Sequence, residues 1–147
     1  MNGLEELYRE VILDHNRSPR NFGQIEDADR VINGVNPLCG DKMTLYLKLD
    51  GDRIDDVRFE GPGCAISVAS SSLMTERIKG ANVAETLALF ERVHDMLRGN
   101  IDPDEHMEKL AALAGVREFP SRVKCASLAW HALKTALTSS EAEISTE

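Results

Sequence analysis

Three cysteines and one aspartate are the residues of this chain whose types and spacing could do chemistry. They are Cys39 and Asp41 in "NPLCGD", Cys64 after "GPG", and Cys125 in "SRVKCAS". A thiolate is both a nucleophile and a soft metal ligand, and a carboxylate is a hard oxygen ligand. Three sulfurs and one oxygen suit tetrahedral zinc, and suit a thiolate-bound iron centre less cleanly. Gly40 permits a tight or left-handed backbone, which would let Cys39 and Asp41 converge. Cys64 opens a helical stretch, where unpaired N–H groups and the helix dipole favour a thiolate. No CxxC pair fixes two ligands locally, so spacing leaves the thiols open as packing groups, metal ligands or reactive nucleophiles. Asp41 follows a glycine, where an aspartate is more often a turn residue than a ligand.

The elements that must position these residues follow from periodicity. Met43, Leu45, Leu47 and Leu49 alternate with Thr44, Tyr46, Lys48 and Asp50, a period of two; "DGD" at 50–52 is a turn signal, and Ile54, Val57 and Phe59 lie in a second strand. Residues 43–61 therefore fold back on themselves and bring Cys39, Asp41 and Cys64 together, although 24 residues lie between the two thiols. Ahead of them, "DADRVINGVNP" is a short extended segment, with Asn36 biased towards β geometry by Pro37.

The rest reads helical. Leu4, Tyr8, Val11 and Ile12 mark one face of a helix over 3–14, and "NRSPRNFG" breaks it. A helix from Cys64 closes on Gly80, and Asn82 caps the next, with Val83, Leu87, Phe90 and Leu97 as its stripe and Gly99 at its end. A short helix runs from Asp102-Pro103 to Leu113, "AGVREFPSR" connects, and "VKCASLAWHALKTAL" is the last helix. Residues 138–147 read as a polar, disordered tail. The expected architecture is α+β in one domain spanning 1–147: an N-terminal helix, a small three-stranded antiparallel sheet, and a C-terminal group of helices covering one face. Ala126, Ala129, Leu133 and Leu137 read as core packing. His15, His94, His106 and His131 are metal ligands only in principle; His131, six residues past Cys125, falls on another helix face and reads as structural.

Composition narrows the partners. The formal net charge of −8 argues against a nucleic-acid phosphate backbone, which needs neutralising cations. No apolar run approaches the roughly 18 residues of a membrane span, and acidic residues interrupt the first apolar pattern, unlike a secretory signal. An odd count of three cysteines suits a reducing compartment, so a cytoplasmic protein is expected.

The same motifs carry a resemblance. "NPLCGD", "FEGPGCAIS" with "ASSSLMTE", and "SRVKCASLAW" resemble, in order, the three cysteine motifs of the U-type iron–sulfur assembly proteins, and "YREVILDHNRSPRNFG" is similar to that family's opening segment. Within the family the chain resembles the SufU branch more than the IscU scaffolds. Lys124 stands where IscU-type scaffolds carry a histidine, the Cys64–Cys125 stretch is longer, and "FPSRVKC" does not reproduce the Leu-Pro-Pro-Val-Lys chaperone motif. The resemblance implies one Zn²⁺ held by Cys39, Asp41, Cys64 and Cys125. It also implies a SufS-type cysteine desulfurase as partner, Cys39 as acceptor of its persulfide sulfur, and a SufBCD-like scaffold downstream. Arg122 matches a basic position that contacts the desulfurase or the site, or is simply a solvated arginine. Two other readings stand beside this one: a scaffold that assembles and hands on a [2Fe–2S] cluster on the same ligands, and a structural zinc module with inert thiols.

Overall fold

The computed structural model describes residues 3–146; Met1, Asn2, Glu147 and the side chain of Leu4, named in the expected helical stripe, lie outside the described residues. Helix α1 (Gly3–Arg17) is followed by strands β1 (Arg30–Asn36), β2 (Asp41–Asp50) and β3 (Arg53–Glu60). Helices α2 (Ala65–Ile78) and α3 (Val83–Leu97), a 3₁₀ segment (Glu105–Val116), α4 (Pro120–Thr138) and a short strand β4 (Glu143–Ser145) complete the chain.

The period-two pattern of β2 buries Met43, Leu45 and Leu47 on one face, opposite Phe59 and Val57 of β3. Ile54 and Val57 are three apart, yet both are buried, because a bulge leaves Asp55 unpaired between Lys48↔Asp56 and Leu49↔Ile54. Ile32 of β1 joins this inner face, and α2 and α4 cover it. The outer face carries Thr44, Tyr46, Lys48 and Arg58, none of them buried, the hydrophobic-in, polar-out division of an antiparallel sheet with one wet side.

The expected three-stranded antiparallel sheet is corrected to a four-stranded mixed one. Its order is β3-β2-β1-β4, with β4 parallel to β1. The fourth strand falls in the stretch read as a disordered tail, where Ile144 is the sole large apolar residue. Backbone bonds hold it: Asn33 N–H donates to Ala142 O at 2.7 Å and Thr146 N–H to Val35 O at 3.0 Å. Arg30 ties down the approach, its guanidinium donating to the carbonyls of Ala136, Ser139 and Glu141.

Two local features set how closely the helices approach. At Gly34 a β carbon would lie 3.1 Å from Leu128 Cδ1, so the missing side chain lets α4 settle onto β1. Along α2, Ser67, Ser70, Ser71 and Ser72 are all buried. Three of these hydroxyls are bonded: Ser70 Oγ donates to Ala126 O at 2.6 Å and accepts from the Trp130 indole at 3.1 Å, Ser71 Oγ donates to Ser67 O at 2.9 Å, and Ser72 Oγ pairs with His15 Nδ1 at 2.7 Å. Small hydroxyls thus let α1, α2 and α4 pack tightly, although His15 Nε2 stays buried without a hydrogen-bond partner among the described residues.

Helix α4 begins three residues earlier than the periodicity predicts, with Pro120 at its first turn, where a fixed φ and a missing N–H carry no penalty. The penultimate helix is instead the 3₁₀ segment, capped by Asp104, whose Oδ1 accepts from His106 N–H at 3.0 Å.

Candidate metal centre

The pairing Asn36↔Asp41 is the last rung between β1 and β2, so residues 37–40 form a turn that closes a second hairpin. Gly40, at φ 73°, takes the left-handed conformation that the turn needs. Cys39 is therefore held in that turn, exposed, beside Leu38, which is 65% exposed. Asp41 opens β2 on its inner face and is 1% exposed.

Cys64 arrives from the far end of β3. The linker runs alongside β2, with Lys42 N–H donating to Pro62 O at 2.9 Å. Gly61 has φ 123°, and a β carbon there would sit 2.7 Å from Lys42 O, so only glycine fits. Cys64 is the N-cap of α2, and its Sγ accepts from Ser67 N–H at 3.4 Å. That position is the one the sequence pointed to. Cys125 lies in the second turn of α4, is 3% exposed, and reaches the group only because α4 crosses the inner face of the sheet.

Ligand atoms of Cys39, Asp41 and Cys125 all lie within 4.8 Å of one another. Cys64 adjoins them: its Sγ is 3.8 Å from Asp41 Oδ2, and its N–H donates to Asp41 Oδ1 at 2.8 Å. Sulfurs bound to zinc at about 2.3 Å stand about 3.8 Å apart along a tetrahedron's edge. Cys39, Asp41 and Cys125 are grouped closely enough to close on a cation of that size, with Cys64 beside them through its contacts to Asp41. Electrostatics favour one. Burial raises the Cys125 thiol well above the ordinary range, and hydrogen bonds with Asp41, Cys39 and Cys64 add to the rise. Several anionic ligands in one buried place require a counter-charge, which a dication supplies. The donor set and its spacing therefore fit a zinc-sized soft cation.

Other candidates are elsewhere. Arg122 lies across Phe119, its guanidinium carbon 4.4 Å from the ring centre, with Nη1 3.4 Å from Tyr8 Oη. His15 is bonded to Ser72, and His94 and His131 pack with Phe90, their ring centres 5.4 Å apart. His131 thus takes the packing position read for it. Sequence reasoning missed Asn36 as a member of the site. Its Nδ2 donates to Asp41 Oδ2 at 3.2 Å and to Cys125 Sγ at 3.4 Å. The signal was present in the alternation Ile32, Gly34, Asn36, which puts an amide on the buried face.

A cysteine–carboxylate group that could hold a metal ion, at one end of a helix-covered mixed sheet, marks a small α+β domain. Residues 7–145 match the family model described as the NifU-like N-terminal domain, and the chain belongs to that family. It is 44% identical over 139 residues to the zinc-dependent sulfurtransferase SufU of Bacillus subtilis (strain 168), covering 94% of each chain. It is 42% identical to the iron–sulfur cluster assembly scaffold protein IscU of Streptococcus pyogenes serotype M1, over 93% of this chain and 86% of the other. Among solved structures, the SUF-system assembly scaffold protein of Fervidobacterium islandicum AW-1 superposes with a TM-score of 0.85 at 39% identity, covering 92% of this chain and all of that one. Membership places the chain among iron–sulfur cluster assembly proteins. Among the described residues, no helix is long and apolar enough to cross a membrane.

Proposed function

We propose that the chain is a zinc-dependent sulfur-transfer protein of the cytoplasm, which takes persulfide sulfur from a SufS-type cysteine desulfurase and passes it to a SufBCD-like scaffold. The observation that carries this reading is the asymmetry of the ligand group. Asp41 and Cys125 are buried, whereas Cys39 stands exposed in a glycine-bearing turn. Zinc held by Cys39, Asp41, Cys64 and Cys125 would keep the thiols deprotonated while damping their nucleophilicity.

The ligands then have separate tasks. Cys64 is fixed by its capping bond and Cys125 by the packing of α4, so both are suited to hold. Cys39 is suited to swing outwards and meet a partner, with Leu38 offering that partner an apolar contact. Its thiolate attacks the outer sulfur of the donor's persulfide; the new S–S bond forms as the bond to the donor cysteine breaks, and the donor leaves as a thiolate. No outside oxidant or reductant is needed. Arg122, on the first turn of α4 and stacked on Phe119, is assigned to the docking surface rather than to the ligand group.

The test is Cys39→Ser, assayed with the desulfurase and cysteine, together with mass spectrometry of the wild type. The variant should retain some zinc and lose desulfurase stimulation, and wild-type Cys39 should gain one sulfur. Full stimulation by the variant sinks the assignment. An inert Cys39 leaves a structural zinc module. A stable visible chromophore after iron and sulfide reconstitution, without stimulation, leaves the [2Fe–2S] scaffold.

A further inference from the structure

Asn36 ends β1 on the inner face, opposite Asp41, and is 0% exposed. Its two N–H donors are both engaged by the site, one by Asp41 Oδ2 and one by Cys125 Sγ. Its Oδ1 is buried without a hydrogen-bond partner. A buried carbonyl oxygen left unpaired opposes folding, and an apolar side chain of similar size would carry no such penalty. Turning the amide over would set Oδ1 against a carboxylate and a sulfur, both acceptors once ionised, so the neighbours fix its orientation. The amide is thus held, against the interest of the fold, with its positive edge towards two ligand atoms.

We propose that Asn36 is a positioning residue of the metal centre, bracing Asp41 and Cys125 as the retained ligands and leaving Cys39 as the one that departs. The inference rests on the metal reading of the site. N–H bonds to anionic ligands are charge-assisted, and partners behind the ligands typically account for 10–100-fold in metal affinity. A primary amide has two donors and both are used, so none remains for Cys39. One side chain therefore makes the ligands unequal, independently of how exposed each is.

The test compares the wild type with Asn36→Ala, Asn36→Asp and the control Asn33→Ala, which alters an outward-facing position on the same strand. Zinc affinity is read by competition with a chromophoric chelator, ligand geometry by the visible spectrum after cobalt substitution, and stability by the melting temperature without metal. Asn36→Ala should bind zinc about 10–100-fold more weakly and shift the thiolate-to-cobalt bands, with a smaller loss of metal-free stability than of affinity. Asn36→Asp, of the same shape but with no N–H for Asp41 or Cys125, should likewise shift the thiolate-to-cobalt bands. Asn33→Ala should match the wild type. Wild-type affinity and spectra in either Asn36 variant overturn the proposal, and so does a loss of affinity matched by an equal loss of metal-free stability. If Asn36→Ala does not fold, Asn36→Asp decides alone. A wild-type protein that binds no zinc overturns the metal reading itself, which is a different result from equal binding by all four proteins.

Discussion

Gly61→Ala tests whether the link between β3 and α2 holds the site together. At Gly61 the added β carbon would lie 2.7 Å from Lys42 O and 3.0 Å from Met43 Cα. An ordinary carbon–oxygen contact is about 3.3 Å, so backbone must move by about 0.6 Å. Strain at φ 123° adds about 1–3 kcal/mol. Pulling the linker off β2 loses the Lys42–Pro62 bond, worth about 1 kcal/mol, and a less flexible unfolded chain returns about 0.4–1 kcal/mol. The net loss is about 1–3.5 kcal/mol, or a melting temperature lower by about 2–14 °C for a domain of this size. Gly40→Ala is the matched comparison: φ is 73° and nothing lies within 4 Å, so backbone strain acts alone and the loss is about 1 kcal/mol. Urea unfolding gives both values. Chelator competition should show the larger zinc loss in Gly61→Ala, because that linker places Cys64 and lies against the strand that starts with Asp41. Equal losses from the two substitutions, or a Gly61→Ala protein within about 0.5 kcal/mol of the wild type, would refute the reasoning.

Two further outcomes probe the frame around the site. Burial, with the nearby Arg20 and Lys109, holds His15 below the ordinary histidine value of 6.5. The unfolded chain then binds the extra proton first, so stability is present above about pH 6.5 and falls as pH drops below it. Urea midpoints at equal metal loading should fall less between pH 7.5 and 5.5 in His15→Gln than in the wild type, and parallel curves would contradict this. Ending the chain after Ala142 removes β4, losing the Thr146–Val35 bond and the half-buried Ile144, for a cost of about 2 kcal/mol. It also uncovers the β1 edge beside exposed Val31 and Val35, so sedimentation should show self-association that the full chain lacks.

The readable parts of the fold were those governed by local pattern. Met43, Leu45 and Leu47 alternate so regularly that β2 follows from side-chain period, and "DGD" at 50–52 marks its turn. Asn82 caps α3 as its type suggests, accepting from Glu85 N–H at 2.7 Å. The start of α4 was hidden because Pro120 reads as a breaker, although at a first helical turn it is a starter. Strand β4 was hidden because its hold comes mainly from the neighbouring β1 and from Arg30, and Ile144 alone among its side chains packs against the core. At the site, the approach of Cys64 to Asp41 follows from folding back one hairpin. The arrival of Cys125 depends on α4 lying over Gly34, a tertiary approach that no local spacing encodes.

The order of the site residues along the chain has a consequence for biosynthesis. Cys39, Asp41 and Cys64 leave the ribosome early, whereas Cys125 follows 61 residues after Cys64. At about 5–20 residues per second, the early thiols wait about 3–12 s for the last one. During that interval the nascent chain offers only an incomplete, loosely held chelate, with no α4 to close over it. On the zinc reading, tight loading would be deferred until α4 has emerged and docked, and a filled centre would report that synthesis has passed the last helix.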